Sequence, residues 1–121
     1  MENKKTLVLG ASSNPSRYSY MAINRLVNKG HSVVGIGLKE EEVAGVKIHT
    51  KQIPLKNIDT VTLYMRPARQ KEYYNYIISA QPKRVIFNPG TENPELYQLL
   101  KSNNIDVEVG CTLVMLSTGQ Y

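Results

Sequence analysis

The chain has 121 residues, 41% of them hydrophobic and 21% charged, the size and balance of a single globular domain over residues 1–121. A lone cysteine, Cys111, with no apolar signal segment after Met1, argues against a secreted disulfide scaffold and predicts a reducing, cytoplasmic setting, and no apolar run approaches the roughly 18 residues of a membrane-spanning helix. The net charge of +5 lies mostly in residues 1–60, with nine Lys/Arg against five Asp/Glu; it suits an anionic ligand but is not gathered into the long basic stripe of a nucleic-acid surface.

Strand-length apolar runs alternate with segments of helical spacing. Thr6-Leu7-Val8-Leu9 is a first strand ended by Gly10. Ala22, Ile23, Leu26 and Val27 then form one face of a helix that stops at Lys29-Gly30, where glycine supplies a left-handed cap. Ser32 to Ile36 is a β-branched second strand ended by Gly37. From Lys39 to Ile58 the pattern weakens: Glu40-Glu41-Glu42 reads as a solvated helix start, Val46-Lys47-Ile48 offers only a short strand, and the segment is expected along a sheet edge.

Thr60 to Met65 reads as the third strand, followed by Tyr73, Tyr76, Ile77 and Ala80 as a helical face closed by Pro82. Arg84 to Phe87 is the fourth strand. Asn93-Pro94-Glu95 opens another helix with a capping residue, a first-turn proline and an acid near the positive helix end, and Leu96, Leu99 and Leu100 are its buried stripe. Ile105 to Val109 is the fifth strand. Strands separated by helices imply right-handed crossovers, so the expected class is α/β: a three-layer, Rossmann-like, doubly wound parallel sheet of five strands in the order 3-2-1-4-5.

In such a sheet, ligands bind outside the carboxyl ends of the strands, where strand order reverses. The loops expected there are Gly10 to Ser19 and Asn88 to Glu92, both rich in small and turn-forming residues that let backbone amides approach a phosphate. An ordinary dinucleotide fingerprint would place glycines at positions 10, 12 and 15, where the chain has Gly10, Ser12 and Pro15. Arg17 could instead pair with a diphosphate in bidentate fashion, with Ser19 offering its hydroxyl at the helix start. The second strand ends in Gly37-Leu38-Lys39, with a lysine where NAD-binding domains hold an acid; that favours a phosphorylated ribose, as in coenzyme A or NADP. Arg66, ahead of Pro67, is placed beside the same crevice. Cys111 reads first as a buried thiol and second as a group near a thioester, while His31 and His49 lack acid, base or metal partners.

Gly10-Ala11-Ser12, Asn14-Pro15, Arg17-Tyr18-Ser19, Leu26, Gly30, Val33-Val34, Arg66-Pro67, Asn88-Pro89-Gly90 and Cys111 together resemble the small CoA-binding domain family, which is similar to the nucleotide-binding domain of the succinyl-CoA synthetase alpha subunit. The resemblance implies that Gly10, Ala11, Ser12, Arg17, Tyr18 and Ser19 contact a diphosphate. It implies that Gly37, Leu38 and Lys39 hold the adenosine and its phosphate, and that Asn88, Pro89, Gly90 and Thr91 lie beside the pantetheine path. It differs from the common family pattern at Ile36-Gly37-Leu38 and at Asn88-Pro89-Gly90, and it carries over neither the synthetase's phosphorylated histidine nor its ligase activity. The expected function is non-catalytic binding of coenzyme A or an acyl-CoA in a carrier, sensing or regulatory role. Two alternatives stand beside it: an NADP-dependent or NADP-sensing protein, and a protein-interaction module using the crevice or Leu113-Val114-Met115-Leu116. The expected partner is a small nucleotide ligand, with a homodimer possible and neither nucleic acid nor membrane involved.

Overall fold

The structure, a computed structural model, describes residues 2–121. β1 (Thr6–Ala11) leads through a loop into α1 (Tyr18–Asn28), and β2 (Val33–Gly37) follows. The glutamate-rich segment forms a hairpin, β3 (Glu41–Val43) and β4 (Val46–His49), before β5 (Thr60–Leu63). A short helix α2 (Pro67–Gln70) runs through a 3-10 turn at Lys71–Tyr73 into α3 (Tyr74–Ala80). β6 (Arg84–Phe87), α4 (Pro94–Ser102), β7 (Asp106–Val109) and α5 (Thr112–Ser117) complete the chain. Among the described residues, no helix is long and apolar enough to cross a membrane.

The sheet is Rossmann-like, with seven strands in the order β3-β4-β2-β1-β5-β6-β7. All neighbours pair in parallel except β3 with β4. This corrects the expected five strands and their order 3-2-1-4-5. The place outboard of β2 belongs to β4, not to Thr60–Leu63, which pairs with β1 on its other side. The helix start expected at Glu40-Glu41-Glu42 is likewise replaced by β3. The hairpin escapes the sequence pattern because its turn is Ala44-Gly45, with φ of 51° and 80°. Alanine is an unusual occupant of a left-handed turn position, so none of the Asn-Gly or Asp-Gly signals of a hairpin is present.

Period-two alternation divides the core between the two faces of the sheet. Leu7, Leu9, Val61, Leu63, Val85 and Phe87 point to the face covered by Ile77 of α3 and Leu96 and Leu100 of α4. Val8, Ile48 and Ile86 point to the other, covered by Ile23 and Leu26 of α1 and Leu116 of α5. Asn93 caps α4 as expected, its side chain accepting from the Leu96 N–H, with Pro94 in the first turn.

At the amino ends of the strands, the second face closes over a polar cluster. Tyr121 is buried, its hydroxyl bonded to Thr6 Oγ1, its ring 4.5 Å from the Arg84 guanidinium and 5.1 Å from the His31 ring. Buried His31 accepts the Lys4 N–H at Nδ1, which requires the neutral imidazole. Burial, followed by the neighbouring Lys4 and Arg84 charges, holds the His31 pKa below its ordinary 6.5.

Because the unfolded chain takes up this proton more readily than the folded one, His31 contributes stability fully above pH 6.5 and loses it as pH falls below that value. Urea unfolding at about pH 7.5 and about pH 5.5 should show a larger loss on acidification than the same comparison in His31→Gln. Identical losses would remove His31 from the pH dependence.

Candidate functional site

The carboxyl ends of β1, β2, β5 and β6 open onto a crevice of about 560 Å³. Its shape begins at Gly10. This residue has φ +91°, and a Cβ there would stand 2.7 Å from the Tyr64 carbonyl oxygen, so the close approach of β1 to the end of β5 needs glycine. The register with β2 shifts between Leu9 and Ala11, and Gly37 then packs against the Ala11 carbonyl with no room for a side chain.

The β1–α1 loop is held by its own short polar residues. Ser12 Oγ accepts the Asn14 N–H at 3.0 Å, Asn14 Oδ1 accepts from the Ser16 N–H and hydroxyl, and the Arg17 N–H donates to the Asn14 carbonyl at 2.9 Å. Arg17 occupies the N-cap of α1, and no side chain caps this helix. The positive end of an eleven-residue helix therefore faces the crevice with first-turn N–H groups lacking a side-chain acceptor. Ser19, expected to offer its hydroxyl at the helix start, lies inside the first turn and is buried.

Two buried amide side chains fix the opposite wall. Asn88 donates to Thr62 Oγ1 at 2.7 Å and to the Leu63 carbonyl at 2.8 Å, and accepts the Thr112 N–H at 2.9 Å, joining β5, β6 and α5. Gln70 Nε2 donates to the carbonyls of Met65 and Thr91, each at 2.8 Å, while its Oε1 accepts from Asn93 Nδ2. Arg66 and the Pro89-Gly90-Thr91 turn are thus held in one frame. Thr91 closes that turn by donating its N–H and its hydroxyl to the Asn88 carbonyl.

Twelve of the fourteen expected site residues line the crevice: Gly10, Ala11, Ser12, Arg17, Tyr18, Ser19, Leu38, Lys39, Arg66, Pro89, Gly90 and Thr91. Gly37 and Asn88 lie outside its lining, one as the contact with Ala11 and the other as the strand-end tie. Ser13 and Asn14 also line it, within the loop expected there, whereas Glu41, Tyr64, Met65 and Arg69 line it without having been expected at the site. Arg69 had a legible signal, since it stands three residues beyond Arg66 and follows a helix-starting proline. Cys111 is partly buried at the start of α5 and does not line the crevice, which leaves its second reading, beside a thioester, without support.

The electrostatics are lopsided. Arg17, Lys39, Arg66 and Arg69 line the crevice and form no ion pair among the described residues, against one lining carboxylate, Glu41. Tyr64 adds no charge: burial pushes its phenol up to about 12, and its hydroxyl lies buried beside Thr62 and Thr112 without a bond of good geometry. These four cations, with the uncapped start of α1, give the crevice a positive potential that suits an anion.

The sequence profile of the CoA binding domain matches residues 4–117, nearly the whole chain. The chain belongs to the CoA-binding domain family. It is similar to a crystal structure of an uncharacterized protein at 50% identity, covering 100% of each chain with a TM-score of 0.96. It is also similar to a hypothetical protein from Pyrococcus horikoshii OT3 at 28% identity, covering 97% of this chain and 84% of that one with a TM-score of 0.86. An oxidoreductase from Bacillus cereus, 18% identical over 87% of this chain and 34% of that one, with a TM-score of 0.58, shares the fold alone. No curated protein matches the chain.

The buried ties make the crevice walls costly to disturb. Gln70→Ala would strand the Met65 and Thr91 carbonyls and one of the two Asn93 Nδ2 protons, the other still donated to the Tyr74 hydroxyl, and should lower unfolding stability in urea by about 2–4 kcal/mol. A loss under about 0.5 kcal/mol would show that water satisfies these groups.

Proposed function

We propose that the crevice binds coenzyme A or an acyl-CoA without performing chemistry on it, in a carrier, sensing or regulatory role. The observation that carries this reading is the set of four cations, unpaired among the described residues, lining the crevice onto which the uncapped α1 N-terminus opens, in a chain of the CoA-binding domain family. Coenzyme A brings a diphosphate and a 3′-phosphate on one adenosine, followed by a neutral pantetheine arm.

The amides of Gly10 to Ser12 and the first turn of α1, with Arg17, suit the diphosphate. Lys39 suits the 3′-phosphate. Leu38 and Tyr18 are 74% and 68% exposed, and their apolar surfaces on the crevice wall offer the adenine a face to pack on. On this reading the remaining ligand runs past β5 toward β6, a course supported by Pro89, Gly90 and Thr91 lining the crevice there, with the Asn88 carbonyl holding their turn. Tyr64, partly buried with its hydroxyl enclosed and its phenol pushed up to about 12 by burial, and the surrounding turn residues offer a surface for contact rather than proton transfer.

Lys39 equally suits the 2′-phosphate of NADP, so calorimetric titration should compare coenzyme A with dephospho-CoA, NADP and NAD. The expected order places coenzyme A first, with binding weakened by roughly tenfold or more on loss of the 3′-phosphate and in Arg17→Ala or Lys39→Ala. Binding of NADP without coenzyme A would transfer the site to a nicotinamide cofactor. Binding of neither would leave the family likeness as a matter of fold.

A further inference from the structure

Glu41 is the one carboxylate among the described residues that line this cationic crevice. A fixed negative charge there opposes phosphate binding, so its presence asks for a partner that donates hydrogen bonds. The three consecutive glutamates have separate surroundings. Glu40 accepts the Thr50 N–H at 2.6 Å and the Thr50 hydroxyl at 2.9 Å on the exposed edge, Glu42 is exposed in the middle of β3, and Glu41 is partly buried toward the crevice.

Glu41 opens β3 opposite Ile48 of β4, which itself pairs with Gly35 of β2. Val43, two residues on and on the same face, packs in the core beneath α1, so Glu41 projects on the α1 side of the sheet. Its Oε1 accepts the Ser13 hydroxyl at 2.6 Å, which orients the carboxylate toward the β1–α1 loop. Among the described residues it forms no ion pair with Arg17, Lys39 or any other cation, and Oε2 has no hydrogen-bond partner. Lys39 lies two residues earlier on the same outer wall. An oriented, unneutralised acceptor thus stands at the end of the crevice that carries the lysine for the ribose phosphate.

Resting on the CoA reading, we infer that Glu41 is a specificity-determining residue that accepts a hydrogen bond from the free ribose 2′-hydroxyl of a 3′-phosphoadenosine ligand and repels a 2′-phosphate. The two ribose positions then meet opposite charges: the 3′-phosphate faces Lys39 and the 2′-oxygen faces Glu41. A coenzyme phosphorylated at the 2′ position meets the carboxylate with its phosphate. Glu41 thereby separates two cofactors of similar total charge that Lys39 alone cannot tell apart.

The test uses adenosine 3′,5′-bisphosphate and adenosine 2′,5′-bisphosphate, isomers of equal charge, titrated calorimetrically into the full chain, its Glu41→Ala and Glu41→Gln variants, and Ser13→Ala. The wild type should prefer the 3′,5′ isomer, and Glu41→Ala should shrink that preference by about tenfold, largely by gaining affinity for the 2′,5′ isomer. Glu41→Gln, which keeps the shape and an acceptor for Ser13, should also admit the 2′,5′ isomer. Ser13→Ala should retain most of the preference. If both Glu41 variants keep the wild-type ratio, or if Ser13→Ala changes it as much as Glu41→Ala does, the carboxylate only ties the loop and the inference is overturned. Failure of coenzyme A itself to bind the wild type would instead overturn the CoA reading beneath it.

Discussion

The close passage of β1 between its two neighbours at its carboxyl end governs the rest of the site. At Gly10 the strand runs against the Tyr64 carbonyl at the end of β5, and at Ala11 its carbonyl runs against Gly37 at the end of β2. Side chains at either glycine would push these strand ends apart. With both absent, the β1–α1 loop emerges at the centre of the sheet edge, and α1 begins with its positive end over the crevice. Arg17 and the loop amides converge there because the strand backbone sets where the loop leaves the sheet and Ser12 and Asn14 fix its turns.

A second constraint is the matching of buried polar groups. Loops at the strand ends leave carbonyls and N–H groups in places water does not reach, and Asn88 and Gln70 satisfy them across element boundaries. The crevice is therefore lined by a rigid frame of turns from which charged side chains project. Such a frame limits the ordering cost of binding a long, flexible, anionic ligand, because only the ligand and a few side chains lose freedom.

Much of this was legible in the sequence where the signal is local. The β1–α1 loop shows its turn chemistry in Ser12, Asn14, Pro15 and Ser16, and the α4 cap shows in Asn93-Pro94-Glu95. Strand pairing was less legible, because β3 and β4 are three and four residues long and turn through Ala44, a residue that does not announce a left-handed conformation. Once β4 takes the place beside β2, Thr60–Leu63 must lie on the far side of β1, which brings Arg66 and Arg69 to the crevice. Glu41 was hidden by composition. A run of three glutamates reads as one solvated feature until strand alternation sends its members to different surroundings, and Tyr64 was hidden by its place at the end of an apolar strand run.

The most direct test of the proposal that this crevice holds coenzyme A is to follow backbone amide resonances of the full chain during titration with coenzyme A. Shifts should concentrate at Gly10 to Tyr20, Leu38-Lys39, Arg66 and Gly90-Thr91, while amides at the opposite pole, around His31 and Tyr121, stay in place. A saturating shift pattern centred away from the carboxyl ends of β1, β2, β5 and β6, or no saturating shift at all, would contradict the assignment of this crevice as the coenzyme site.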